Sequence, residues 1–256
     1  MPGRTCPKST LRRVSSLCVK ASKILMTSGA ETARVEATVE HIGRSCKVPV
    51  ESFATPTGIT ITVGEDRTIT TVTRVKNRTI DLSKVIEVNN ISRDLAMGKL
   101  PFQTADKAVD DILHKPHLYS SEIIYLGQAI CCAGFAIFID GQLITGLPAL
   151  IVGLLAKYTE KLCANLAPFL FIFINALVVT LFADLCCCLF PSMEHKTIVI
   201  AGIIPLLPGL SLTNALADLM EGELVSGIAR TTDSLLTAAA LAAGAAVGIS
   251  LGSIFT

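Results

Sequence analysis

Residues 162–183 read LCANLAPFLFIFINALVVTLFA, a run without one charged side chain. Coiled as a helix at ~1.5 Å per residue, such a run exceeds ~30 Å, the hydrocarbon thickness of a bilayer. Working outward, further uncharged stretches lie at 123–139, 142–156, 197–217 and 234–256. They predict five spans, at about 122–140, 142–157, 164–190, 197–220 and 233–255. The second is short and holds Pro148, which leaves a re-entrant or tilted segment as the alternative. It is read as a full span because omitting it would put Lys157 and Lys161 on the side that cytoplasmic lysines avoid.

Composition agrees. Of the 256 residues, 51% are hydrophobic and 17% charged, with mean hydropathy +0.59, which excludes both an ordinary soluble domain and a disordered chain. The net charge of +1 is a sum of opposites: residues 1–120 hold 18 Lys/Arg and 12 Asp/Glu (net +6), residues 121–256 hold 4 and 9 (net −5). The bias of Lys and Arg toward cytoplasmic loops puts the first 120 residues and the Lys157/Lys161 loop inside. It puts the 140–141 link, the 191–196 loop and the C-terminus outside, and the 221–233 stretch inside. Met1–Lys20 lacks an apolar run long enough for a signal-peptide core. The nine cysteines include Cys131-Cys132 and Cys186-Cys187-Cys188 within apolar stretches and form no CxxC pair. They read as small packing residues, with no zinc or thioredoxin-like site implied.

The first half predicts a small cytoplasmic α+β domain over 11–118, after a flexible N-terminus at 1–10. Leu11, Val14, Leu17, Ala21 and Leu25 recur at helical spacing, as do Val35, Val39, Ile42 and Cys46. Between them, Gly29 can end one helix while Ser28 and Glu31 form a capping box for the next. Ile59, Ile61 and Val63 alternate with threonines, and Gly64-Glu65-Asp66-Arg67 supplies a turn before a β-branched run at 68–75. Strands at 48–54, 58–63 and 68–75 follow. Asp81 is placed to cap a helix with Leu82, Val85, Val88, Ile91 and Leu95 on one face, and Thr104 to open another. The fold class is therefore an α-helical multi-pass membrane domain (119–256) preceded by this α+β domain.

Transport needs polar groups at membrane depth and a break in helix regularity. Pro205 and Pro208 remove backbone donors, Gly209 relaxes the chain, and Ser211 can cap a new half-helix whose N–H groups would meet a carboxylate. Asn214 and Asp218, four apart, share the face below. A plain proline kink with polar residues pairing between helices is the competing reading. Asp184 reads either as a proton-coupling or partner-pairing group or as an interfacial residue, and Arg230 either as a receiver of anionic substrate or as a topology anchor. Asn175 reads as an interhelical hydrogen bonder. His114-Lys115-Pro116-His117 is a poor metal pair because proline interrupts it, and no metal or cofactor is expected. No GxGxxG, Walker or GxSxG motif occurs, and the diffuse positive charge gives no basis for nucleic-acid binding.

Two segments resemble the threonine/serine exporter family. One is Ser28-Gly29-Ala30-Glu31-Thr32-Ala33-Arg34-Val35-Glu36 with Thr55-Pro56-Thr57-Gly58-Ile59, similar to that family's N-terminal signature. The other is Pro208-Gly209-Leu210-Ser211-Leu212-Thr213-Asn214-Ala215-Leu216-Ala217-Asp218 with Gly222 to Arg230, similar to its fifth-helix region. In length and layout the chain is similar to the larger subunit of split exporters. The resemblance implies export of a small carboxylate or amino acid across a bacterial inner membrane: threonine and serine for single-chain members, succinate for the split pair. It also implies a small multi-pass partner subunit, and a higher oligomer is compatible with it. Substrate binding is expected at Pro208, Gly209, Ser211, Asn214, Asp218 and Arg230, and coupling at Asp184 and Asp218. The chain is not expected to be an enzyme. The alternatives are a membrane-tethered enzyme using Ser28, Glu31, Arg34, Glu36 or His41, and a regulatory or assembly subunit with no substrate site of its own.

Overall fold

Leu11, Val14, Leu17, Ala21 and Leu25 are all buried along one side of α1 (Lys8–Thr27), the first element of a computed structural model of the chain. The structure describes residues 8–65, 68–76, 79–116, 118–163, 165–190 and 193–253. They divide into two units: residues 1–118 with 210–231, and residues 119–209 with 232–256.

In the first unit α2 (Thr32–Ser45) buries Val35, Val39 and Ile42 beside α1. Three antiparallel strands follow in the order β1 (Val50–Thr55), β2 (Gly58–Val63), β3 (Ile69–Arg74). Val50 pairs with Val63, and Gly58 with Arg74. Alternation sends Ile59, Ile61 and Val63 of the central strand into the core, each worth ~1.5–3 kcal/mol of burial. Gly43 lets α2 approach the sheet, since a Cβ there would lie 2.5 Å from Val50. Then come α3 (Leu82–Ala96), capped by Asp81 accepting from Lys84 N–H at 3.3 Å, and α4 (Phe102–His114). Val85, Val88 and Leu95 of α3 are buried and Ile91 is half-buried, whereas Leu82 is exposed at the helix start. Helix α4 opens at Phe102, two residues before Thr104, with Pro101 at its N-cap. The expected flexible N-terminus falls mostly outside the described residues, as do Asp66-Arg67 of the expected turn and His117; residues 8–10 are helical.

The second unit is helical. It comprises α5 (Ser121–Asp140), a 3-10 turn at Leu143–Thr145, α6 (Gly146–Leu162), α7 (Pro168–Leu189), α8 (His195–Ile203) and a 3-10 turn at Ile204–Leu206. Two further helices lie on the unit boundary: α9 (Gly209–Met220) belongs to the first unit from Leu210, and α10 (Leu224–Gly252) to the second from Thr232. Close helix crossings are made by small residues. A Cβ at Gly153 would lie 2.8 Å from Ala129 Cα, and one at Gly244 would collide with the Phe173 carbonyl. Asn175 Nδ2 donates to Ala156 O at 2.9 Å, the interhelical bond expected of it. Phe138, Leu143, Leu147 and Leu189 point outward, as lipid-facing residues do.

Four helical segments are long and apolar enough to cross a membrane: Ser121–Ile139, Leu143–Leu162, Pro168–Leu189 and Leu224–Gly252. The number becomes five if His195–Leu206 and Gly209–Met220, bent by 52° at their junction, count as one. The expected second span thus gains length from the 3-10 turn, and the expected fourth is broken.

Candidate functional site

Helix α1 ends at Gly29, whose φ of +88° is the left-handed conformation glycine adopts without a Cβ penalty. Ala30 N–H closes the helix by donating to Leu25 O at 3.0 Å. Glu31 is extended, and α2 begins at Thr32. Three backbone groups of this turn are met by side chains from one distant segment. Asn214 Nδ2 donates to Gly29 O at 2.9 Å, and Arg230 Nη2 donates to Ala30 O at 2.8 Å. Thr32 N–H donates to Asp218 Oδ1 at 2.9 Å, so a carboxylate caps the helix from 186 positions away. Thr32 Oγ1 donates to Asp218 Oδ2 at 3.1 Å, and Arg230 Nε lies 3.1 Å from the same oxygen.

This joint is dry. Thr32 and Asp218 are fully buried, and Asn214 and Arg230 nearly so. Charge and hydrogen bonds compensate the desolvation of the ion pair, and removing one partner of such a pair costs ~3–5 kcal/mol. The helix that supplies it is amphipathic in an inverted sense. Asn214, Ala215 and Asp218 face inward from α9, while Leu212, Leu216 and Met220 face outward. Asn214 and Asp218 do share a face, and Asp218 is not solvated.

The second motif segment joins the same network. Thr55-Pro56-Thr57-Gly58 is a two-residue turn between β1 and β2, with Pro56 buried and Thr55 Oγ1 donating to Gly58 O at 3.0 Å. Just before it, Ala54 N–H donates to Glu36 Oε1 at 2.6 Å, and Ser226 Oγ donates to Ala54 O at 3.3 Å. Burial raises the Glu36 carboxyl above the usual range. The Ala54 N–H opposes that shift, and the charges of Glu223, Glu40 and Asp218 add to it.

The expected capping box does not form. Glu31 is itself the N-cap, makes no side-chain cap, and pairs with Arg34 at 3.2 Å, while Ser28 still belongs to the end of α1, its N–H donating to Ile24 O at 2.9 Å. Ser28 is buried at the end of α1 and accepts Asp81 N–H through its carbonyl at 3.1 Å. Ser211 is not a cap either: α9 opens at Gly209, directly after Pro208, and Ser211 sits in its first turn. Pro208 and Gly209 belong to the second unit.

Asp184 lies on α7 five residues before its end, with His195 Nε2, at the start of α8, 2.9 Å from Oδ1. The sequence reading missed Thr32, Ser226 and His195. For Thr32 the available signal was its place as the residue after an extended N-cap, where both hydroxyl and N–H seek an acceptor. For His195 it was a lone imidazole opening a helix next to a span that holds a carboxylate.

The sequence model of the threonine/serine exporter family matches residues 16–252. A Mycobacterium tuberculosis protein named a probable threonine/serine exporter is 24% identical over 243 residues, covering 93% of this chain and 45% of its own length. A Klebsiella aerogenes protein named a probable succinate transporter subunit, YjjP, is 30% identical over 238 residues, 91% of this chain and 92% of its own. An Escherichia coli protein of the same name is 29% identical over 234 residues, 89% and 91% of the two chains. The chain thus spans less than half of the mycobacterial relative and nearly all of the other two. No solved structure matches it at a significant level.

Proposed function

The chain belongs to the threonine/serine exporter family, and from that premise we propose that it is one subunit of a secondary exporter of small carboxylate metabolites. The substrates are threonine and serine or a dicarboxylate such as succinate, and a separate small multi-pass subunit supplies the remaining helices. Support for the split arrangement is the near full-length match to relatives named transporter subunits, against a match to less than half of the mycobacterial relative named an exporter. The chain is a multi-pass membrane protein. In the proposed topology its N-terminal unit is cytoplasmic, and five spans leave the C-terminus outside.

The observation that carries the reading is the convergence of the two motif segments on Asp218. Asn214, Asp218 and Arg230 grip the turn Gly29–Thr32, while Ser226 and Glu36 grip Ala54. In this reading the joint is a latch. Closed, it keeps the polar side chains of α9 and α10 away from substrate; opened, it frees the Asn214 amide and the Arg230 guanidinium to receive a carboxylate. Pro208, Gly209 and Ser211 are proposed as further substrate residues around the α9 N-terminus. In this reading the N-terminal unit gates: Ser28 is buried, Glu31 pairs with Arg34, and Glu36 accepts from Ala54 N–H.

The test is efflux of labelled threonine, serine and succinate from cells producing the chain with the small subunit. Asn214→Ala is expected to abolish efflux while membrane insertion stays normal. Wild-type efflux from that variant would overturn the site. Identical metabolite levels inside and outside cells with and without the pair would overturn export itself.

A further inference from the structure

We propose that Asp184 and His195 together form the proton-binding site that couples this exporter, an inference that rests on the export reading above. One carboxylate oxygen of Asp184 faces the imidazole at 2.9 Å. The other, Oδ2, is buried and has no hydrogen-bond partner among the described residues. The backbone of α10 closes over it, because a Cβ at Gly252 would overlap the carboxylate. Three helices thus meet at a carboxylate with one oxygen 2.9 Å from an imidazole nitrogen, and neither that nitrogen nor the other oxygen has a hydrogen-bond partner among the described residues. Burying such an oxygen is costly while the group is charged, and a proton relieves the cost.

Asp218, the other carboxylate expected to couple, is already saturated. Both of its oxygens accept from Thr32, and Arg230 lies beside it. Around Asp184 the remaining ionisable groups are few. On α7, Cys187 lies close enough to interact with the carboxylate, with Cys186 and Cys188 beside it in sequence. At the start of α8, Glu194 is held by Thr197 Oγ1 at 3.1 Å and Lys196 is exposed. Neither α10 from Ser234 to Gly252 nor α5 from Ile123 to Ile139 carries a charge. Lys157, Glu160 and Lys161 sit at the far end of α6. The pair also lies at the end of α7 opposite the Lys157/Lys161 loop. With that loop in the cytoplasm, the pair opens toward the outside, the side from which a proton must come to drive substrate outward.

The experiment uses the full chain with its small subunit in proteoliposomes, comparing substrate efflux with and without an opposing proton gradient. Wild type is expected to accelerate with the gradient. Asp184→Asn and His195→Gln are expected to move substrate down its own gradient but to lose the acceleration. Full acceleration in Asp184→Asn, or acceleration by a sodium gradient in place of protons, would overturn the proposal. Gly252→Ala, which crowds the carboxylate without removing it, should also weaken the coupling if Asp184→Asn fails to insert. A second readout does not need transport: nitrogen NMR of labelled histidine in the full chain in lipid nanodiscs. The ring-nitrogen resonances of His195 should move in Asp184→Asn relative to wild type. An unshifted His195 overturns the pair; a shifted one with no efflux from wild type overturns the export reading alone.

Discussion

Asp218 accepts from two donors, a helix N–H and a hydroxyl, and pairs with a guanidinium. Asp218→Asn keeps the shape and removes the counter-charge of Arg230, so we expect the full chain to lose about 3–5 kcal/mol, read as a fall in Tm. Thr32→Val, which deletes the hydroxyl but keeps the N–H, should cost about 1 kcal/mol in the same measurement. Glu36 behaves in the opposite way. Its carboxyl is raised by burial, so the folded chain holds the proton more tightly than the unfolded chain. That contribution is fully present below the ordinary carboxylate pKa and is lost as pH rises through the raised one. Glu36→Gln should therefore flatten the decline in Tm over that window and leave the chain at least as stable near neutral pH. At Cys18 burial pushes the thiol up to about 12, so this residue should resist alkylation until the chain unfolds, as mass spectrometry of labelled protein would show.

Among the elements, those with a one-sided pattern were legible. The spacing of Leu11 to Leu25 found α1, the Ile59-Ile61-Val63 alternation found β2, and Asp81 marked the start of α3. Helix α9 was not legible for what it is. Hydropathy weighs composition and not direction, so Asn214 and Asp218 in an apolar segment read as polar groups at membrane depth. The same stripe turned toward Gly29 and Thr32 gives an identical sequence signal. His195 escaped because its partner lies on the preceding helix, where no periodicity links the two. Packing in the apolar unit makes its own prediction. Gly244→Ala pushes a methyl into the Phe173 carbonyl and should lower stability by about 1–3 kcal/mol in detergent unfolding. Gly134→Ala, with nothing within 4 Å, should not.

For the whole molecule, near-neutral charge conceals a basic first half and an acidic second half, and the second motif returns 22 residues, 210–231, to the unit the first half builds. Residues 1–118 produced alone lack Asn214, Asp218, Ser226 and Arg230. Their Thr32 amide should exchange with solvent at least about tenfold faster than in the full chain, and hydrogen-exchange mass spectrometry of the α1–α2 turn would show it. The cap on α2 also sets a schedule. A ribosome adds roughly 5–20 residues each second, so the 186 positions between Thr32 and Asp218 take roughly 10–40 s to make. Throughout that interval the nascent first unit carries an unanswered helix start while α5, α6 and α7 pass through the insertion machinery. Its last polar contacts form only after α5 to α8 have been made, so completion of the N-terminal unit reports that those helices have already left the ribosome.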